Sequence, residues 1–310
     1  MKKQLLCLAL AGAALLAAPQ GRAPASAQEN ARQEAARREA ALRSLPPDAA
    51  RRLFGQVRTP APGPAAVHGF YSRGCYAGGV QMPPTGPTWQ MMRLSRNRNW
   101  GTPRLARFLQ RFSAKAAEVT GWKGLLIGDL SQPRGGPMLT GHASHQLGIE
   151  ADIWLRPMTG RIYSAAEREE IPSLNLVRAD RLDVDPATYT PAHFALLKLA
   201  ASEPEVERVF VNPAIKRALC RDAGADRAWL RKIRPTWGHN YHFHVRLDCG
   251  GAPTCRPQQP PSPGDGCGAE LDWWFSPEVL HPKPRPPRKP PRPLTLADLP
   301  PACKAVLEAR

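Results

Sequence analysis

The chain has 310 residues, 42% of them hydrophobic, and a formal net charge of +17 from 43 Lys and Arg against 26 Asp and Glu. Beyond the N-terminus no stretch approaches the 18 apolar residues of a membrane span, and no Gly-rich nucleotide fingerprint occurs, which argues against a helical membrane protein and a dinucleotide-binding fold. The basic surplus favours polyanionic surroundings.

The first residues read Met1, Lys2, Lys3, then an apolar run from about Leu5 to Ala18, then Ala25-Ser26-Ala27. That order predicts a secretory leader over residues 1–27, cleaved before Gln28, and hence an exported protein. Cys7 lies too near the front of the apolar run to mark a lipoprotein cleavage point. The leader holds Lys2, Lys3 and Arg22 and no acid, so the mature chain keeps 17 − 3 = +14. In an exported chain the natural anionic partners are an acidic wall polymer or a membrane surface, and nucleic acid is not expected. Six cysteines remain: Cys75, Cys220, Cys249, Cys255, Cys267 and Cys303. An even number in this compartment predicts three disulfides, with about 15 connectivities open. Only Cys249 and Cys255 are close enough to suggest a local bridge, and the absence of C-x-x-C argues against thiolate zinc.

Residues 28–67 form a basic arm and linker. "QENARQEAARREAALRS" (28–44) is built of strong helix formers with an alanine face, predicting a weakly docked or flexible helix that ends before Pro46-Pro47. A globular domain is expected over 68–280. Within it "PRLARFLQRFSAKAAEV" (103–119) spaces Leu105, Phe108, Leu109, Phe112 and Ala116 on one helical face. "GLLIGDL" (124–130) is a buried strand, "TPAHFALLKLAASEP" (190–204) a second helix and "VERVFVN" (206–212) a strand. Interspersed helices and strands predict an α+β fold around a small antiparallel sheet, flanked by helices and disulfide-linked loops. Residues 281–310 form a Pro/Arg-rich tail whose "HPKPRPPRKPPRP" favours polyproline II.

Five of the 8 histidines fall in two segments, "GHASHQLGIEADIW" (141–154) and "GHNYHFHVR" (238–246). In "YHFHVRL" the polar His242, His244 and Arg246 alternate with Tyr241, Phe243, Val245 and Leu247, so a strand would put both histidines on one face. His145, Asp152 and His244 can then converge on one ion. Three protein ligands with an open position is the arrangement of catalytic zinc, and imidazole with carboxylate suits zinc better than calcium. The bland alternative, ordinary hydrogen-bonded histidines, is the better reading of the isolated His68, His193 and His281. For the clusters it would leave many buried imidazole atoms to satisfy, at about 1–3 kcal/mol each when unmet. His142 and His145 form His-x-x-His without the glutamate of H-E-x-x-H. His242 is therefore the candidate base for a metal-held water, and His239 either donates to the oxyanion or orients His242. The chemistry indicated is metal-assisted amide hydrolysis.

These two segments, with "MMRLSRNRNWG" (91–101), "RVFVNPAIKRALC" (208–220) and "GDGCGAELDWWF" (264–275), resemble the penicillin-insensitive murein endopeptidases, which are zinc peptidases related to lysostaphin and the D-Ala-D-Ala carboxypeptidases. The resemblance covers about 68–303. It implies Zn2+-dependent cleavage of the D-alanyl–meso-diaminopimelyl cross-link between peptidoglycan stem peptides in the periplasm. By position it implies His145, Asp152 and His244 as zinc ligands, with His142 beside the metal and sometimes counted as a further ligand, and His239 and His242 as the remaining active-site histidines. It implies the bridges Cys75–Cys303, Cys220–Cys267 and Cys249–Cys255, so that the tail is tied back through Cys303. Asp180 falls at a second metal position of the family, but Asp183 stands where a histidine is expected, which puts that site in doubt. The arm lies outside the resemblance. No serine is followed three residues on by lysine, so the chain lacks the S-x-x-K target of β-lactams. Arg93, Arg96, Arg98 and Arg246 are candidates for binding stem-peptide carboxylates. The rival readings are a D,D-carboxypeptidase or L,D-hydrolase on uncross-linked stems, and a non-catalytic wall-binding protein that keeps the metal for structure.

Overall fold

The computed structural model describes residues 27–310 apart from 285 and 287–289, so all but the last residue of the expected leader, Cys7 included, lies outside the described residues. In chain order the elements are helices α1 (Ala27–Ser44) and α2 (Ala50–Gln56), strands β1 (Ala66–Phe70), β2 (Arg73–Ala77), β3 (Val80–Gln81), β4 (Thr85–Gly86), β5 (Trp89–Met91) and β6 (Trp100–Gly101), then α3 (Pro103–Thr120), β7 (Leu125–Ile127), β8 (Glu150–Pro157), α4 (Ala165–Glu170), α5 (Pro191–Ser202), β9 (Val206–Val211), α6 (Pro213–Asp222), β10 (Ile233–Pro235) and β11 (His242–Leu247). A short helix, Ala302–Glu308, follows near the C-terminus.

Helix α3 starts where Thr102 Oγ1 accepts the Leu105 amide and Pro103 supplies a preset φ, and it stops at Gly121, whose φ of +72° is left-handed. Its five apolar positions are all buried and pack with Leu196, Leu197 and Ala200 of α5 against the sheet. The sheet has seven strands in the order β10-β9-β11-β8-β7-β5-β4. This corrects the expected small antiparallel sheet: β10 pairs with β9, and β5 with β7, in parallel. Parallel neighbours require a crossover, and here α3 and α6 provide it. The core face is formed by Ile127, Ala151, Ile153, Leu155, Val209, Val211, Phe243, Val245 and Leu247.

A smaller cluster gathers Ala50, Phe54, Ala61, Leu299 and Val306 around the bridge Cys75–Cys303, so that α2 and the C-terminal helix meet. The other two bridges are Cys220–Cys267 and Cys249–Cys255. The arm is an ordered helix laid on α4 through polar contacts: Asn30 Nδ2 donates to the Glu169 carbonyl at 2.9 Å, and Glu34 lies 3.9 Å from Arg96.

Candidate metal centre

Strands β8 and β11 run antiparallel with Asp152 opposite His244, Trp154 opposite His242, and Glu150 opposite Arg246. Because side chains alternate, all six project from the face away from the core. The loop before β8 brings His142 and His145 over the same face. It closes tightly at Gly148, where φ is +66° and a Cβ would lie 2.7 Å from the Tyr76 ring, so only glycine fits. His145 itself holds a left-handed φ of +65°, a backbone state that concentrates at functional sites.

Asp152 is the hub. Its carboxylate oxygens lie 3.2 Å from His244 Nδ1, 3.3 Å from His145 Nε2, 3.6 Å from His142 Nδ1 and 3.7 Å from His242 Nε2. The donor atoms of His142, His145 and Asp152 all fall within 4.8 Å of one another, a spacing that can hold a metal ion. The tautomers agree with that use. His145 donates Nδ1–H to the Leu130 carbonyl, which leaves Nε2 as a lone-pair nitrogen, buried and without a hydrogen-bond partner. His244 donates Nε2–H to Glu150 Oε1 at 2.8 Å, which leaves Nδ1 turned to Asp152. A buried, orphaned imidazole nitrogen beside a carboxylate fits a divalent cation, and the second-nitrogen bonds fix ring orientation as metal sites require. His239 adopts a φ of +50°, lies with its ring tilted 49° at 4.9 Å from the His242 ring and donates Nδ1–H to the Trp237 carbonyl at 3.2 Å.

The structure thus gathers all five clustered histidines with Asp152. Asp180 does not join them. It is exposed, pairs with Arg178 and accepts the Leu182 amide at 3.0 Å, and Asp183 pairs with Arg221 at 2.8 Å. Two acids that the sequence reading left without a role sit beneath the cluster. Glu150 accepts the His145 amide at 2.6 Å, His244 and Arg246 Nε at 2.8 Å. Asp129, the one acid in the apolar "GLLIGDL", accepts His142 Nε2 at 2.9 Å, Arg98 at 3.0 Å and Arg96 at 3.2 Å. A lone carboxylate in a buried strand and a period-two spacing from Asp152 were the available signals.

Of the four basic residues considered for substrate, Arg98 and Arg246 are buried against these acids, which corrects that expectation for them. Arg93 and Arg96 line a pocket of about 300 Å³ together with Asp129, His142, Asp152 and His242.

Burial alone would raise the carboxyl pKa values. For Asp129 the His142 hydrogen bond and two guanidinium groups win, and for Glu150 the Arg246 charge and the His244 bond, so both lie below the ordinary range. Asp152 is likewise held well below it by the surrounding imidazoles. Burial lowers both His242 and His239, the latter to about 4, so both rings are neutral at pH 7. His244 is raised, because its bonds to Asp152 and Glu150 outweigh desolvation.

Comparison with known proteins adds a profile match over residues 67–308 to the family described as penicillin-insensitive murein endopeptidase. The chain belongs to this family. Similar proteins carrying the name "Penicillin-insensitive murein endopeptidase" include one from Klebsiella pneumoniae subsp. pneumoniae, 43% identical over 254 residues, and one from Escherichia coli O1:K1, 44% identical over 257 residues. Each alignment covers 82% of this chain and 90% of the relative. Every residue of the centre falls inside the murein endopeptidase match, and helix α1 falls outside it.

Proposed function

We propose that the protein is a zinc-dependent murein endopeptidase of the periplasm that hydrolyses the D-alanyl–meso-diaminopimelyl cross-link of peptidoglycan. The observation that carries this reading is the buried, unpartnered His145 Nε2 at 3.3 Å from Asp152, inside a ring of four imidazoles. In this reading His145, Asp152 and His244 hold the ion, and His142 stands beside it, anchored by Asp129. A bound zinc ion supplies Lewis-acid polarisation of the scissile carbonyl and lowers the pKa of water towards about 7. His242, neutral and facing the pocket, accepts the proton of the attacking water and returns it to the leaving amine. His239 has its Nδ1–H committed to Trp237, so its Nε2 is an acceptor. It therefore orients His242 rather than donating to the oxyanion. Arg93 and Arg96 on the pocket wall bind carboxylates of the stem peptide. The domain division that goes with this is a leader (1–27), an arm and linker (28–67), the peptidase domain (68–280) and a tail held by Cys303 (281–310).

The test is digestion of purified murein by the mature protein, with elemental analysis, before and after chelation. Loss of cross-linked dimers without free alanine, abolished by chelation and restored by zinc, is expected. Release of D-alanine alone would reassign the enzyme as a D,D-carboxypeptidase, and cleavage by metal-free protein would overturn the reading.

A further inference from the structure

An exposed aromatic shelf leads away from the histidines. Trp273, Leu182 and Trp237 are 55%, 39% and 36% exposed; single exposed apolar residues are ordinary, but a contiguous exposed patch marks a binding surface. The indoles are contiguous: Trp237 and Trp274 meet edge to face at 5.5 Å, and Trp274 and Trp273 at 5.2 Å. The series joins the centre directly, because Trp237 supplies the carbonyl bonded by His239, whose ring lies 6.2 Å from that of His244.

The shelf is held in place from several sides. Arg181, in a left-handed conformation (φ +63°), sets its guanidinium 5.4 Å over the Trp237 ring and donates to the Leu280 carbonyl. Arg217 of α6 sits over the Phe275 ring at 3.2 Å and donates to the Leu182 carbonyl at 2.9 Å. The bridge Cys220–Cys267 ties α6 to the segment that carries Trp273 and Trp274. Such preorganisation serves binding, since little side-chain freedom remains to be lost.

Resting on the reading of the centre as a murein hydrolase site, we infer that this shelf is a subsite for the glycan strand of the substrate, with N-acetylhexosamine rings stacked on Trp273 and Trp237. The apolar C–H face of a β-1,4-linked pyranose matches the electron-rich face of an indole, and the ring hydroxyls remain in water. A stem-peptide carboxylate is better served on the Arg93 and Arg96 side, where guanidinium groups line the pocket. An extended stem of four residues spans about 13 Å, and the shelf adjoins the histidines through the Trp237 carbonyl that His239 bonds.

The test uses peptide-free glycan strands, prepared from murein with an amidase, and the full mature protein. Binding is followed by intrinsic tryptophan fluorescence and by equilibrium dialysis. The wild type is expected to bind, and Trp273→Ala and Trp237→Ala to weaken binding about tenfold or more, within the range of aromatic contacts. Trp273→Tyr should recover most of it, and Ile162→Ala, at an exposed apolar residue outside the shelf (71% exposed), should bind as wild type. Failure of the strands to bind, wild-type binding by both alanine variants, or Trp273-dependent binding of phosphatidylglycerol vesicles in place of strands would each overturn the assignment. The strands contain no scissile amide, so binding by a protein that cleaves no murein would sink the hydrolase reading and leave the glycan contact standing.

Discussion

At the scale of single residues, one buried carboxylate faces nitrogens of four imidazoles at 3.2–3.7 Å, far more basic groups than it can neutralise as protonated partners. The division of labour among those imidazoles is open to test. Replacing His242 with alanine is expected to lower kcat by about 10²–10⁴, the range for a general base, with zinc content by elemental analysis unchanged. A normal rate with zinc retained would remove His242 from its role. Glu150→Gln should act differently, since it weakens the support of His244: zinc affinity, measured by chelator competition, falls about 10- to 100-fold. Lys216, fully buried, donates Nζ–H to the Leu230 and Asp265 carbonyls, and burial brings its pKa from 10.5 to about 7. Its folded-state pKa lies below the unfolded one, so between these values the unfolded chain binds more protons and stability rises with pH. The stability of the wild type minus that of Lys216→Met should therefore climb from pH 7 to pH 10 in denaturant titrations. A flat difference contradicts the buried-amine account.

The elements that were legible are those long enough to show a full period. Helix α3 displays its apolar stripe over five turns, and β11 alternates polar and apolar residues over six positions, whereas β9, with Val209, Phe210 and Val211 in succession, follows no strict period of two. Strands β4, β5 and β6 have two or three residues each, too few to carry a pattern; the apolar run at 124–130 did mark β7, but the pairing that makes β5 and β7 parallel neighbours is set by the path of α3 between them. The arm's alanine-rich face indicated weak docking, yet its contacts run through Asn30 and Glu34, polar residues that no hydrophobic pattern reports. A direct check on the helix boundary is Thr102→Ala. Loss of the cap to Leu105 should cost about 1 kcal/mol, read as a lower unfolding midpoint with unchanged denaturant slope.

Across the whole molecule, the chain is closed by a bond between residues 228 apart. Cys75–Cys303 draws the C-terminal helix onto β2 and buries Leu299 and Val306 with Phe54. Without it the C-terminal segment keeps a small apolar contact, the bonds from Arg134 to the Val306 and Leu307 carbonyls and the Ala50 amide on the Leu294 carbonyl. The paired change Cys75→Ser and Cys303→Ser is expected to lower unfolding free energy by about 2–5 kcal/mol, measured by denaturant titration. The centre is carried by β8 and β11 of the seven-stranded sheet, whose opposite face packs on the larger core, so zinc binding should survive that change under conditions where the variant remains folded.

What the sequence by itself determined was chemistry of local origin. The crowding of histidines near Asp152, the alternation that sets His242 and His244 on one face, and the even cysteine count are all readable from neighbours along the chain. The family resemblance, drawn from the same residues, is matched over 67–308. Only the tertiary structure decided which groups support those histidines. Asp129 and Glu150 acquire their roles from residues up to 96 positions away, the seven-stranded sheet from crossovers, and the burial of Arg98 and Arg246 from packing on all sides. A side chain's type is written at its own position, whereas its partners and its exclusion from water are fixed by segments that meet only on folding.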